Sequence, residues 1–218
     1  MTHASVGLVA PLLDGAPPSV SSLVLDGAHQ HLLFLDARSN TTFAERSVPP
    51  SLIRDVYDLV KWAPTAGNSS PLRLAIASSD EARAAVITHA KETNRPKLTR
   101  APLLLVVARD ERYHDSPHLA ALPAEVRATL DADHADRTRR SHDNTLLQSA
   151  YLVIGLRAAG LAARPYGGFD KEGLDAALFG ETSWRSELLL GVGYPATDDH
   201  GAGPRKPRLS AEVATRTF

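Results

Sequence analysis

The chain has 218 residues, of which 43% are hydrophobic, and this composition suits one folded domain with a sizeable apolar core. Its net charge is −1 and its isoelectric point is about 6.8, so no overall positive field recruits nucleic acid or an acidic membrane surface. There are no cysteines, which excludes disulfides, thiolate catalysis and a dithiol redox centre, so any redox chemistry must run through a bound cofactor.

The N-terminal residues 1–22 are rich in Gly, Pro, Ser and Ala, and they are predicted to form a flexible extension ahead of a single domain over residues 23–218. The apolar stretch Gly7–Leu13 lacks a basic leader and contains Pro11, so it is a poor signal peptide and is too short for a membrane span. No other stretch approaches about eighteen consecutive apolar residues. We therefore expect a soluble protein, and the lack of cysteine fits a cytoplasmic one.

The first half of the domain is predicted to hold three helices and two strands. Loosely helical spacing covers Leu23–Arg38, and a clearer helix begins at the Pro49–Pro50 pair and is stopped by Pro64. After it, the pattern predicts a strand, a helix and a buried strand, at Leu74–Ala77, Asp80–Glu92 and Pro102–Ala108.

The second half is predicted to be mainly helical. A helix within Leu119–Leu130 precedes an exposed, mixed-charge stretch over Asp131–His142, and a long helix follows over Asn144–Gly160. A short helix and a strand complete the pattern, at Leu174–Phe179 and Leu188–Val192. Because helices outnumber strands and do not alternate strictly with them, the pattern favours an α+β fold over a doubly wound sheet.

The most informative segment joins a predicted helix to a predicted strand and has the sequence Ala63-Pro-Thr-Ala-Gly-Asn-Ser-Ser-Pro71. Its small residues would let the backbone approach a planar ligand closely, and the amide of Asn68 offers a donor and an acceptor to the edge of a heterocycle. An ordinary helix-to-strand connection with good turn chemistry explains the same residues equally well.

Two basic segments far apart in the sequence are candidate phosphate ligands. Arg38 and Ser39, within Asp36–Asn40, can offer guanidinium and hydroxyl donors to a phosphate. Near the other end, Arg205-Lys206-Pro207-Arg208 concentrates positive charge. Solvated surface residues are the alternative interpretation of both segments.

A glycine pair lies in the segment Tyr166-Gly167-Gly168-Phe169-Asp170. Adjacent glycines allow backbone N–H groups to point at a ligand without obstruction by side chains, although a tight turn also accounts for them. Asp170 is predicted to cap the helix that begins near Lys171.

Several apparent motifs are rejected. Gly191–Ala196 satisfies G-x-G-x-x-A, but Pro195 and the residues after it do not open a helix, so it is no dinucleotide fingerprint. The sequence has neither a phosphate-binding P-loop nor a nucleophile elbow. His114 and His118 are four residues apart, but Pro117 between them argues against one helical face, and no metal site is expected.

Taken together and in this order, these segments resemble the nitroreductase family, most closely the branch that contains malonic semialdehyde reductase. The likeness extends from about Leu33 to Leu209. The segments that resemble the family are Leu35–Phe43, Lys61–Pro71, Gln148–Leu152, Gly167–Asp170 and Lys206–Leu209. The resemblance implies an α+β fold with a central, mostly antiparallel sheet flanked by helices. It also implies an interlocked homodimer that binds FMN non-covalently at two sites in its interface.

The resemblance further implies a set of flavin-binding positions, which are Arg38, Ser39, Asn40, Pro64, Thr65, Asn68, Gly167, Gly168, Lys206 and Arg208. Those near the two chain ends match the family's phosphate-binding residues. The loop residues match positions beside the flavin ring, and the glycines match positions whose amides face its reactive edge. No side chain is assigned as a catalytic acid or base, because solvent can supply the proton.

The reaction that the resemblance implies is ping-pong hydride transfer, in which NAD(P)H reduces the flavin and a small acceptor then takes a hydride from N5. Three positions depart from the family pattern: Ala37 replaces the first Arg of a double-Arg opening, Thr41 replaces a basic residue, and Gly167 replaces an acidic one. These departures loosen the expectation for nicotinamide docking and nitroaromatic substrates, and the branch likeness favours a small aldehyde or carbonyl acceptor. The segment His134–His142 has no counterpart and is expected to line the substrate entrance.

Two functions other than a reductase are considered, one with different flavin chemistry and one without catalysis. In the first, the protein is an FMN-dependent dehydrogenase or oxidase that desaturates a metabolite and passes electrons to oxygen. In the second, it is a flavin-binding or scaffold protein without turnover. Anaerobic mixing with NADH and NADPH separates these alternatives from a reductase, whose flavin would bleach quickly.

Overall fold

The computed structural model describes residues 20–196 and 205–218, which fall into two compact units. The larger unit is Ser39–Ala202, and the smaller one combines Met1–Arg38 with Gly203–Phe218. Of the extension predicted for residues 1–22, residues 1–19 lie outside the described residues. Among the described residues, no helix has the length and apolar character needed to cross a bilayer.

One antiparallel sheet of four strands forms the centre of the larger unit. In chain order the strands are β1 (Leu72–Ala77), β2 (Leu103–Asp110), β3 (Ala162–Tyr166) and β4 (Trp184–Gly193), and in the sheet their order is β1-β2-β4-β3. The register pairs Leu105 of β2 with Ile76 on one side and Leu190 on the other. The predicted α+β fold with a central antiparallel sheet is therefore confirmed.

Helices cover both faces of this sheet, which is why the central strand β2 is an uninterrupted apolar run from residue 103 to residue 108. The helices of the larger unit are α2 (Pro50–Val60), α3 (Asp80–His89), α4 (Arg95–Thr99), α5 (Ala124–Ala132), α6 (His134–Ala158) and α7 (Lys171–Leu178). Leu105 and Val107 of β2 pack in one core with residues of α2 and α6, whereas Leu104 and Val106 pack in a second core with residues of α3 and α7. Successive residues of a strand point to opposite faces, so the two cores lie on opposite sides of the sheet.

The smaller unit contains α1 (Gly27–Gln30), a π-helical turn at His31–Leu35 and α8 (Ala211–Ala214). Only part of the helix predicted over Leu23–Arg38 therefore forms. The side chain of Gln30 explains its late start, because its Nε2 donates to the carbonyl oxygens of Val20 and Leu25 and holds that segment as a turn.

The segment predicted as an exposed stretch over Asp131–His142 is mostly helix, since α6 begins at His134. Asp133 caps that helix by accepting a hydrogen bond from the backbone N–H of Asp136. Arg137 turns inward and donates to the carbonyl oxygens of Glu111 and Leu130, at 2.9 and 2.6 Å. The mixed charges thus have helical and tertiary partners: most residues of the stretch are exposed, as predicted, but they form a helix that was not predicted there.

A buried carboxylate, Glu187 on β4, joins four elements of the larger unit. Its side chain is only 1% exposed and accepts hydrogen bonds from Arg109 Nη1 on β2, His142 Nδ1 on α6 and Lys171 Nζ on α7, at 2.5, 2.8 and 2.8 Å. Burial opposes its ionisation, but the hydrogen bonds from these three side chains outweigh it and lower the pKa of Glu187.

Helices α2 and α6 approach closely at Gly155. A Cβ atom added there would lie 2.4 Å from Val60 Cγ1 and 3.1 Å from Val56 Cγ1. Gly155→Ala should lower the free energy of unfolding by about 1 kcal/mol, because overpacking outweighs the better helix propensity of alanine. Urea unfolding measures this change. In a Val60→Ala background the cost should disappear, and an equal cost in both backgrounds would contradict close packing as its cause.

Candidate functional site

The loop between α2 and β1 has an unusual backbone. Gly67, Asn68 and Ser70 all adopt positive φ angles, of 62°, 52° and 39°. For asparagine and serine this conformation costs on the order of 1 kcal/mol or more, so other contacts must hold it. One contact lies within the loop, where Thr65 Oγ1 accepts a hydrogen bond from Ser70 N at 3.1 Å.

Two polar side chains of α6 fix the ends of this loop. Asn144 Oδ1 accepts from Ala66 N at 2.8 Å, and Gln148 Oε1 accepts from Leu72 N at 3.0 Å. Both side chains are buried, and they lie one helical turn apart on the face that α6 turns inward. Neither side chain was predicted to have a role, although two amides at i, i+4 in a largely apolar helical segment were a visible signal.

The loop opens on a cavity of about 960 Å³ formed by α2, β1 and the segment after β2. Asn68, Ser70 and His118 line one part of it, and Trp62, which is 81% exposed, lines another. Asn68 is itself exposed, so its amide is accessible to a ligand, as the predicted role requires.

The glycine pair follows β3 and is held by the connection between α3 and α4. Gly168 O accepts from Lys91 N at 3.0 Å and from Asn94 Nδ2 at 3.3 Å, and Asp170 N donates to His89 O at 2.8 Å. The carboxylate of Asp170 caps α7, as predicted, by accepting from Gly173 N. This backbone bond, followed by the side-chain bond between the Asp170 carboxylate and His89 Nδ1 at 3.2 Å, lowers the pKa of Asp170.

The N–H groups of Gly167 and Gly168 donate no hydrogen bond within the described parts of the chain. A Cβ added at Gly167 would meet nothing within 4 Å, so open space lies beside this backbone. Gly167 thus offers an accessible amide donor and Gly168 a half-buried one beside it, which fits the flavin-facing role that the resemblance implies. Asn94, beside Gly168, was not singled out from the sequence.

The basic residues of the smaller unit that were predicted to bind phosphate include arginines close enough to interact electrostatically. Arg38 and Arg208 act electrostatically on Arg205, and burial together with these two positive charges lowers the pKa of Arg205. Its Nε and Nη2 atoms are buried and have no hydrogen-bond partner within residues 20–196 and 205–218. Lys206 is exposed, and its carbonyl accepts from Arg208 Nη1 at 3.1 Å. Unpartnered guanidinium nitrogens in a group of arginines fit an anion such as a phosphate.

The remaining predicted positions, Ser39, Asn40, Pro64 and Thr65, belong to the larger unit. Ser39 is exposed, and its carbonyl accepts from Arg164 Nη1 at 2.8 Å, whereas Asn40 is buried. The loop around Asn68 and the glycine pair take their hydrogen bonds from different elements, the first from α6 and the second from the α3–α4 connection.

Comparison with known proteins gives a consistent result at the level of sequence. Residues 36–194 match the profile of the Nitroreductase family. A Streptomyces coelicolor protein with the provisional name NADH dehydrogenase/NAD(P)H nitroreductase is 40% identical over 199 residues, which cover 90% of this chain and 99% of that protein. A Stenotrophomonas maltophilia protein with the same provisional name is 37% identical over 195 residues, 89% of this chain and 98% of that protein.

Solved structures share the fold. A nitroreductase family protein from Streptococcus pneumoniae has a TM-score of 0.72 at 19% identity, covering 84% of this chain and 96% of that chain. A protein of Exiguobacterium sibiricum, crystallised in complex with FMN, has a TM-score of 0.71 at 18% identity, covering 93% of this chain and 100% of that chain.

Proposed function

The chain belongs to the nitroreductase family, and we propose from this that it is an FMN-dependent oxidoreductase that uses NAD(P)H to reduce a small organic acceptor. The observation that carries the proposal is the glycine pair, whose two amides have no partner within the described residues and which adjoins open space at Gly167. A planar heterocycle with acceptor atoms on its edge is the kind of ligand that such a backbone accommodates.

The chain's own residues would bind FMN in two ways. Arg38, Arg208 and Arg205, whose Nε and Nη2 have no partner among the described residues, would neutralise the phosphate, with Lys206 adding positive charge. Ser39 and Asn40 come next to Arg38 in the sequence and would complete the phosphate-binding segment, with the Ser39 hydroxyl as a donor.

The ring would be bound by backbone and amide groups. The N–H groups of Gly167 and Gly168 would orient its reactive edge, and the amide of Asn68, in the loop shaped by Pro64 and Thr65, would contact it from a second direction. When bound, FMN supplies a centre that accepts and donates hydride. No side-chain acid is assigned, because solvent can deliver the proton to the reduced acceptor.

We propose a small aldehyde or other carbonyl compound as the acceptor, on the strength of the sequence likeness to the malonic semialdehyde reductase branch. A cytoplasmic location is proposed on the absence of cysteine. Reduction of the flavin by nicotinamides distinguishes the proposed reductase from the alternative, a dehydrogenase or oxidase that transfers electrons to oxygen.

A homodimer with the flavin between its subunits is part of the proposal. It is supported by large apolar side chains that are exposed on or just beyond α2 and on the outer face of α6. These side chains are Leu59, Trp62, Leu146, Leu147 and Tyr151. Monomers rarely expose so many large apolar groups on neighbouring helices, and burial against a second copy would remove them from water.

The visible spectrum of the purified protein tests the proposal. We expect flavin absorbance, release of FMN on denaturation, and rapid bleaching on anaerobic addition of NADH or NADPH. A flavin that stays oxidised with both nicotinamides, but is reduced by a metabolite and reoxidised by oxygen, would instead favour the dehydrogenase. A colourless protein that cannot be reconstituted with FMN would refute the proposed function.

A further inference from the structure

A histidine outside the predicted flavin ligands contacts the loop that carries Asn68. His118 lies in a 3-10 turn, Pro117–Leu119, after β2, and its Nε2 is 3.0 Å from the carbonyl oxygen of Asn68. A carbonyl oxygen can only accept, so Nε2 must carry the proton and donate it. The two residues line the same cavity although they are 50 positions apart in the sequence.

This contact acts at the point of the loop where the backbone needs support. Asn144 and Gln148 hold Ala66 and Leu72, near the two ends of the loop, while Asn68 lies between them with a φ of 52°. A hydrogen bond to the Asn68 carbonyl fixes the plane of the peptide that follows Asn68. The direction of the Asn68 Cα–Cβ bond depends on the two peptide planes that flank Asn68, so fixing one of these planes restrains the side chain.

The turn that carries His118 is itself firmly held. Arg73 Nη2 donates to Ser116 Oγ and to Asp110 Oδ2, both at 2.7 Å, and Arg73 Nη1 donates to Ser70 O at 3.0 Å. Arg127 Nη2 donates to the carbonyl of Leu119 at 3.1 Å. Arg73 therefore connects the His118 turn to the loop by a second route, and His118 projects from a supported position.

We propose that His118 is a positioning residue for the flavin: by donating to the Asn68 carbonyl, it aims the Asn68 amide at the ring. This inference rests on the proposed function, since it assumes that Asn68 contacts FMN. His118 acts through Asn68 and does not itself react.

Two substitutions separate the donated hydrogen bond from the bulk of the ring. His118→Phe keeps a ring of similar size without a donor, and its dissociation constant for FMN should rise about fivefold, the effect of one lost neutral hydrogen bond. The midpoint potential of the bound flavin should shift towards that of free FMN. His118→Gln, whose amide can donate, should recover most of both properties. His29→Phe makes the same chemical change at another exposed position and should leave both at wild-type values.

A double-mutant cycle with Asn68→Ala tests the route of action. If His118 acts through Asn68, then His118→Phe should add little to the loss caused by Asn68→Ala. Three outcomes would each overturn the inference while leaving the proposed function intact. In the first, His118→Phe keeps the wild-type affinity and potential; in the second, His118→Gln binds FMN as weakly as His118→Phe. In the third, the losses in the cycle are additive. Failure of the wild-type protein to bind FMN would overturn both.

Discussion

Glu187→Gln should lower the free energy of unfolding by about 3 kcal/mol, because it removes the charge that neutralises a buried cluster. Glutamine preserves the volume but leaves Arg109, which is 16% exposed, with Glu111 as its remaining carboxylate partner. The loss falls at the low end of the range for broken buried ion pairs, since Lys171 and His142 are each 43% exposed and can be rehydrated. Urea unfolding measures the change, and Glu45→Gln at an exposed site should cost less than about 0.5 kcal/mol.

The same variant should change how stability depends on pH. The folded-state pKa of Glu187 is lowered, so its contribution is complete above the ordinary glutamate pKa of about 4.3 and is lost as pH falls through the folded value. Between pH 7 and about pH 3 the wild-type protein should therefore lose more unfolding free energy than Glu187→Gln. Other carboxylates with lowered pKa values, such as Asp131 and Asp136, affect both proteins equally. Parallel pH profiles would show that Glu187 does not contribute as described.

Arg208→Ala should weaken FMN binding by about 1–3 kcal/mol, or roughly 5- to 150-fold in Kd, as expected for one lost charge-assisted hydrogen bond to a phosphate. Among the described residues, the Nη1 atom of Arg208 donates only to the nearby carbonyls of Lys206 and Pro207, both at 3.1 Å, and can exchange these bonds for a phosphate.

Fluorescence titration of the apoprotein with FMN measures this loss. Arg216→Ala removes the same charge from an exposed position eight residues further along the chain and is the matched control. Equal affinities in Arg208→Ala and the control would show that the C-terminal basic segment does not bind the phosphate.

The elements predicted well from the sequence are those whose apolar pattern is regular. The run Pro102–Ala108 and the periodicity before Pro64 predicted β2 and α2 because burial alone determines them. Strand β3 was missed because Arg164 and Pro165 interrupt its short apolar run. The start of α6 was missed because its inward face there is polar, with Arg137 and Ser141 buried against carbonyls and not in an apolar core.

For the candidate site, composition pointed to the loop around Asn68 and to the glycine pair, since their backbones need small residues. Composition could not show which distant side chains bond to the loop and to the glycine pair. Asn144 and Gln148 bond to backbone groups 78 and 76 positions away, and His118 bonds to one 50 positions away. Local sequence patterns carry no information about such pairings. The burial of the Arg205 guanidinium was likewise hidden, because the sequence does not distinguish Arg205 from its basic neighbours.

The two hydrogen bonds from α6 to the Asn68 loop have a consequence for the kinetics of association. Fixing a residue's backbone costs about 1–2 kcal/mol of conformational entropy, and in this loop that cost is met when the chain folds around α6. A ligand then meets a preorganised surface, and encounter needs no slow rearrangement of the segment. Substitutions at Asn144 or Gln148 would transfer the ordering cost to the binding step.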